Sequence, residues 1–299
     1  MIRERKIRSE VTPEMIERWF TAEPQPDGVL AIGEPYHFEN VYSYLIRGES
    51  QDLLIDTGMG VGDIASFICQ QRDSFAKKLT VVNSHWHFDH IGGNGSFDNI
   101  AVLVPKFGEE AARISKGWSH ADLQKYGFES GFDEYGHPVE FDPSTFEVPP
   151  AKNISAEIDE SWSIDLGGRS IRAIHTPGHT PGGVSFFDET NGLLFTSDLL
   201  YEGPLYAFEK KSDPKQYLRS LEKLRDKLGD YIRTIHPGHN YPNNENEPNL
   251  LYEAIWLFER ISRNESPDTI FIEFPGVVEY RHPNSQRRLR ALVDKNYDR

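Results

Sequence analysis

The densest chemistry in the chain is the segment Ser84-His85-Trp86-His87-Phe88-Asp89-His90-Ile91-Gly92-Gly93, which follows the apolar run Leu79–Asn83. A tight loop at a strand end can aim the side chains at i and i+2 at one point and those at i+4 and i+5 at a neighbouring one. Imidazole and carboxylate groups so placed are ligands for Zn²⁺, Fe or Mn. With 11 histidines and 47 acidic residues among 299, the pattern H-x-H-x-[DE]-H arises by chance about 0.002 times per chain, so a solvated histidine-rich loop is the poorer reading.

His85, His87, Asp89 and His90 cannot fill two metal shells alone, and three other segments can add to them. His179 lies in Thr176-Pro177-Gly178-His179-Thr180-Pro181-Gly182, where glycines and prolines pin the chain after an apolar run. Asp198 ends the run Leu193–Ser197, and His239 sits in Pro237-Gly238-His239-Asn240. Each falls at the C-terminal end of an expected strand, where side chains from different strands can converge. His175 and His236 lie near enough to His179 and His239 to take their places. His37, His120, His137 and His282 read as surface or loop residues.

The elements that must position these groups follow from apolar periodicity. Tyr42–Ile46, Leu53–Ile55, Leu79–Asn83 and Ala101–Val104 read as strands, with helices over Gly62–Arg72 and Gly108–Lys116. A second half repeats the theme, with strands at Ile171–Ile174, Val184–Phe187, Leu193–Thr196 and Tyr231–Ile235. Helices are expected at Pro214–Leu228 and Asn249–Ile261, and Arg287, Arg288 and Arg290 fall on an expected terminal helix. That basic stretch is either a solvated face or a grip for a nucleotide phosphate. Residues 118–150 read as an insertion or lid whose Trp118, Tyr126, Phe128, Phe132 and Tyr135 line an acyl pocket or form a small core of their own. The expected class is α/β (α+β in some schemes): an αββα sandwich of two mixed sheets flanked by helices. One domain spans 1–299, with a core at 30–245 and a helix-and-strand extension at 246–299.

At these motifs the sequence closely resembles the metallo-β-lactamase superfamily, from about Tyr42 to His239. The resemblance implies that His85, His87 and His179 hold one metal ion. Asp89, His90 and His239 would then hold a second, with Asp198 bridging the two. It implies that Asp56, in Leu54-Ile55-Asp56-Thr57-Gly58, orients the ligand loop from behind. Two such cations, zinc with Fe or Mn as alternatives, can share a water and depress its pKa toward ~7, giving a hydroxide that attacks a carbonyl carbon. Ser84–Gly95 looks like the matching segment of N-acyl-homoserine lactonases, and glyoxalase II shares the general pattern. Ser197–Leu205 followed by a helix and Pro-Gly-His-Asn looks equally like acyl-coenzyme A thioesterases. Tyr201 stands three residues after Asp198, as does the tyrosine with which the lactonases contact substrate; otherwise it is a core residue. The implied catalytic set is Asp89, Asp198 and Tyr201, acting on an acyl ester, thioester or lactone. Alternatives on the same fold are a phosphodiesterase or nuclease and a mono-iron persulfide dioxygenase.

Composition narrows the partners. A net charge of −15 repels phosphate backbones and anionic membrane surfaces, so neither nucleic acid nor membrane is an expected partner; the acyl small molecule is what the resemblance implies. Homo-oligomerisation is left open. The first residues carry charges throughout with no apolar core of a secretory signal, and no run reaches the ~18 apolar residues of a bilayer span. The lone Cys69 cannot form an intrachain disulfide and reads as a buried thiol, consistent with a reducing cytoplasm.

Overall fold

Strand residues that alternate in sequence divide between two apolar layers, and that division builds the architecture. The computed structural model describes residues 19–72, 77–97, 99–132, 141–151, 153–240, 249–270, 274–283 and 289–297. Strands β1 (Thr21–Gln25), β2 (Val29–Glu34), β3 (Val41–Ile46), β4 (Gln51–Ile55), β5 (Lys78–Val82), β6 (Val102–Pro105) and β7 (Ile154–Ile158) form one sheet in that order. It is antiparallel through β4 and parallel from β4 to β7. A second sheet runs in the order β13 (Thr234–Pro237), β11 (Leu193–Ser197), β10 (Val184–Asp188), β9 (Ser170–His175) and β8 (Ser163–Asp165). Only its β11–β13 pairing is parallel.

Between the sheets lie Ala31, Tyr44, Ile46, Leu53, Ile55 and Val82 from the first and Ile171, Ala173, Phe186, Leu193 and Phe195 from the second. The intervening residues face outward onto helices. Leu30, Ile32, Leu45 and Leu54 meet α1 (Ile64–Gln71) and the 118–150 segment. Ile174, Phe187, Leu194 and Ile235 meet α5 (Pro214–Leu228) and α6 (Asn249–Ser262). The order helix, sheet, sheet, helix is the expected sandwich. Asp213 starts α5 by accepting from the backbone N–H groups of Lys215 and Gln216, with Pro214 at the first helical position. Such a cap contributes about 1 kcal/mol.

Several expectations are corrected. No terminal helix forms at Arg290, because Arg290–Asp294 is a strand, β16; Arg287 and Arg288 lie outside the described residues. With β12 (Pro204–Ala207), β14 (Thr269–Ile270) and β15 (Val277–Arg281), it makes a third sheet in the order β12-β16-β15-β14. Ala291 and Val293 face the helices α5 and α6, the period-two pattern of a strand. Tyr231 lies in a 3₁₀ turn and is exposed, and the strand begins only at Thr234. Cys69 is exposed because α1 buries Ile64, Phe67 and Ile68 on the opposite side. The segment from 118 is less irregular than expected: α4 (His120–Lys125) lies within it, and Trp118, Phe128 and Phe132 are buried in the layer over the first sheet. Tyr135 and His137 fall outside the described residues. His37 lies in the loop between β2 and β3, within the surface-or-loop expectation, but is buried there, boxed by Phe38, Phe88, Phe128 and Phe132. No described helix is long and apolar enough to cross a membrane.

Candidate metal centre

Strand ends deliver every ligand candidate to one place. The loop after β5 opens into the single turn α2 (Phe88–Ile91), which carries Asp89 and His90 just beyond His85 and His87. Gly92 makes that packing feasible: a Cβ there would stand 2.0 Å from the Met59 carbonyl oxygen. His179 follows β9, Asp198 follows β11 and His239 follows β13. Three non-glycine residues beside these groups have positive φ, namely Asp56 (61°), Ser197 (47°) and Asn240 (71°). Such conformations cost on the order of 1–3 kcal/mol each and persist where the surroundings fix them, commonly at functional sites.

The side chains converge as two groups. His85, His87, His179 and Asp198 form one, and Asp89, His90 and His239 the other, with the ligand atoms of each group within 4.8 Å of one another. In the first, His87 Nδ1 is 3.0 Å from His85 Nε2 and 2.8 Å from His179 Nε2. Asp198 Oδ2 lies 3.2 Å from His179 Nε2 and 3.7 Å from His85 Nε2. In the second, His90 Nε2 and His239 Nε2 are 3.3 Å apart, and Asp89 Oδ2 lies 3.8 and 3.7 Å from them. Asp198 Oδ1 is 2.8 Å from His90 Nε2 and 3.1 Å from His239 Nε2, so its two oxygens face different groups. All seven residues are buried.

The outward ring nitrogens show why these imidazoles fit cations. His90 Nδ1 is 3.0 Å from Asp56 Oδ2, and His85 Nδ1 is 3.0 Å from Ser84 Oγ, which itself donates to Asp56 at 2.7 Å. His179 Nδ1 donates to the Tyr206 carbonyl (2.9 Å), His239 Nδ1 to the Glu39 carbonyl (2.7 Å) and His87 Nε2 to Glu209 (3.1 Å). An outward N–H fixed to an acceptor leaves the inward nitrogen as a lone pair. Lone pairs 2.8–3.3 Å apart repel unless positive charge lies among them. Ligands ~2.0–2.1 Å from a tetrahedral zinc stand about 3.3 Å from one another, close to these spacings. Electrostatics agrees. Burial is the largest single influence and disfavours the imidazolium, yet Asp198 together with Glu209 and the Tyr206 carbonyl at His179, and with Asp89 and Glu39 at His239, lifts both to about 9. Burial would raise the Asp198 carboxyl, but His90, His239, His85 and His179 hold it well below the usual range. Asp198 thus favours positive charge among these nitrogens, a field that a dication suits.

The remaining histidines are elsewhere. The His236 ring stacks on Phe195 at 4.9 Å in the core between the sheets, and His175 stacks on Phe107 at 3.8 Å with Nε2 near the Pro181 carbonyl. Asp56 stands behind the ligands, accepting from the Ser84 backbone N–H (2.7 Å) as well as from His90. The Tyr201 ring lies 5.2 Å from that of His239, but its hydroxyl is buried and donates to the Pro204 carbonyl. Glu209, Glu39 and Tyr206 were not foreseen. Two of them act through backbone carbonyls, which leave no trace in side-chain identity, and Glu209 lies in the charged run Glu209-Lys210-Lys211, which reads as a solvated loop.

A sequence profile described as the metallo-beta-lactamase superfamily matches residues 38–239. Acyl-coenzyme A thioesterase MBLAC2 of Gallus gallus is 27% identical over 232 residues, covering 74% of this chain and 80% of that one. An N-acyl homoserine lactonase of Bacillus thuringiensis is 25% identical over 235 residues, covering 67% and 81%. Among solved structures, a metallo-beta-lactamase from Pontibacter korlensis matches with a TM-score of 0.56 at 15% identity, over 80% of this chain and 99% of that one, which is a likeness of fold.

Proposed function

Because the chain belongs to the metallo-beta-lactamase superfamily, we propose that it hydrolyses acyl thioesters, esters or lactones at a pair of divalent cations, zinc foremost. The observation that carries this reading is Asp198, whose two carboxylate oxygens each approach a different histidine group. His85, His87 and His179 would hold one cation, Asp89, His90 and His239 the other, and Asp198 both. Bound there, the cations supply a hydroxide at neutral pH and a Lewis acid for the acyl oxygen. The chain's own part is to fix the tautomer of each of the five imidazoles and to leave net positive charge at the centre, since two carboxylates oppose two dications. That residual charge suits an acyl carbon developing an oxyanion. The thioesterase and lactonase relatives support an acyl substrate. A mononuclear iron dioxygenase using the first group would leave Asp89, His90 and His239 without a task, and the net charge of −15 disfavours a nuclease. A small-molecule substrate in a reducing, cytoplasmic setting completes the proposal.

The test compares zinc-loaded wild type with Asp198→Ala on a panel of acyl thioesters and acyl lactones. Wild type should turn over at least one class, and the variant should lose about 100-fold or more together with bound zinc. Undiminished hydrolysis in Asp198→Ala would sink the proposal.

A further inference from the structure

The five histidines of the centre are not anchored alike. His85 and His90 lean on Ser84 and Asp56, His239 on the backbone carbonyl of Glu39 in the loop after β2, and His179 on the backbone carbonyl of Tyr206 in β12. His87 instead meets the Glu209 side chain, whose Oε2 lies 3.1 Å from Nε2. Glu209 comes from the loop after β12, and only 14% of its side chain is exposed. A carboxylate so far out of water needs partners. Its other hydrogen bond among the described residues comes from the Tyr126 hydroxyl, 3.4 Å away, in the turn that follows α4 within the 118–150 segment.

That segment touches the ligand loop a second time. The Trp118 indole stacks on Trp86 at 4.7 Å and 5°, and its Nε1–H donates to the Trp86 carbonyl at 3.1 Å. Tyr126 stands edge-on to Trp118 at 5.0 Å. Trp86 lies between His85 and His87 in sequence, so the insertion meets the H-x-H motif at two points: directly at the Trp86 backbone and ring, and at His87 by way of Tyr126 and Glu209.

We propose that Glu209 is a positioning residue that fixes the His87 ring, and that Tyr126 ties it to the insertion, so that the Trp118–Tyr126 stretch sets how tightly the first group holds its cation. The inference rests on the two-cation reading and deepens it. By accepting from Nε2–H, Glu209 keeps Nδ1 as the lone pair facing His85 and His179, and a carboxylate acceptor makes that nitrogen more basic. Tyr126 holds the carboxylate at the angle this requires. A shift of the insertion, whether from substitution or from a ligand lodged against Trp118, is thereby felt at the first group and not at the second.

Metal-stripped full-length protein, checked for folding by circular dichroism, is titrated with zinc against a chromophoric chelator, and cobalt absorption spectra are recorded in parallel. Glu209→Ala should weaken one zinc equivalent about 10–100-fold and leave the other unchanged, with a shifted cobalt spectrum. Glu209→Gln, whose amide oxygen still accepts from Nε2, should recover most of that loss. Tyr126→Phe should cost about 3-fold in wild type and nothing further in Glu209→Ala, the non-additivity of a shared path. Wild-type affinity in Glu209→Ala, equal weakening of both equivalents, or an additive double variant would each overturn the assignment. Should Glu209→Ala fail to fold, an unchanged zinc affinity in Tyr126→Phe overturns it instead. A wild-type protein that takes up no zinc would bring down the two-cation reading itself, which is a separable result.

Discussion

At the scale of single residues, Asp198 carries a heavy electrostatic load, for its two carboxylate oxygens approach different histidine groups. Tyr201, only three residues on, makes an instructive contrast. Its position after Asp198 suggested a substrate contact, but its hydroxyl is committed to Pro204 and its ring to the wall behind His239. Tyr201→Phe should therefore leave kcat/KM within about 3-fold of wild type while lowering stability by about 1 kcal/mol, the worth of one buried hydrogen bond. A large fall in kcat with unchanged stability would restore the catalytic role. The seven ligand candidates were legible because their residue types are rare and closely spaced in a chain with 11 histidines. The groups that orient them were mostly illegible, since any residue can supply the carbonyls of Glu39 and Tyr206.

At the scale of elements, the ligand loops depend on close packing behind them. Gly178, immediately before His179, has φ of 146°, and a Cβ there would stand 2.4 Å from the Tyr217 Cα on α5. Gly178→Ala should cost about 1–3 kcal/mol and displace His179, so zinc content should fall with thermal stability; full zinc occupancy would contradict this. The far side of the same loop rests on Glu110 at the start of α3 (Glu110–Lys116), which accepts from the Gly182 N–H at 3.1 Å. Burial lifts this carboxyl from 4.5 to about 7, against the Gly182 N–H that favours its ionised form. An acid whose folded value lies above its unfolded one takes up a proton on folding, so its contribution is present below about 4.5 and is lost as pH rises through 7. Relative to Glu110→Gln, wild type should lose up to about 3 kcal/mol of unfolding free energy between acidic and mildly alkaline pH. Parallel pH–stability curves for the two proteins would refute it. Helix α5 was read from sequence with its bounds intact, because Asp213 and Pro214 mark its start and leucines recur along one face. Strands β1 and β2 were not read, since polar residues dominate the first and the second is buried throughout, without the alternation that marks a half-exposed strand.

At the scale of the molecule, the C-terminal extension packs into the helical layer over the second sheet. β16 pairs in parallel with β12, and Tyr280, Ala291 and Val293 share one apolar cluster with Tyr217, Leu221 and Phe258. Sequence reading placed a helix at the end because three nearby arginines suggested a charged helical face, whereas long-range pairing with β12, some 85 residues earlier, decides the outcome. Full-length protein should unfold in one transition, and a chain ended at Asn240 should lose cooperative unfolding, as α6 and the third sheet leave with it. A truncated chain melting sharply near the full-length temperature would show instead that the extension is dispensable.

The most direct test of the two-cation centre is anomalous-difference crystallography of the zinc-loaded protein. Two peaks are expected about 3.5–4 Å apart, one within reach of His85, His87 and His179, the other near Asp89, His90 and His239, with Asp198 touching both. A single peak, or none among these side chains at full loading, would contradict the account.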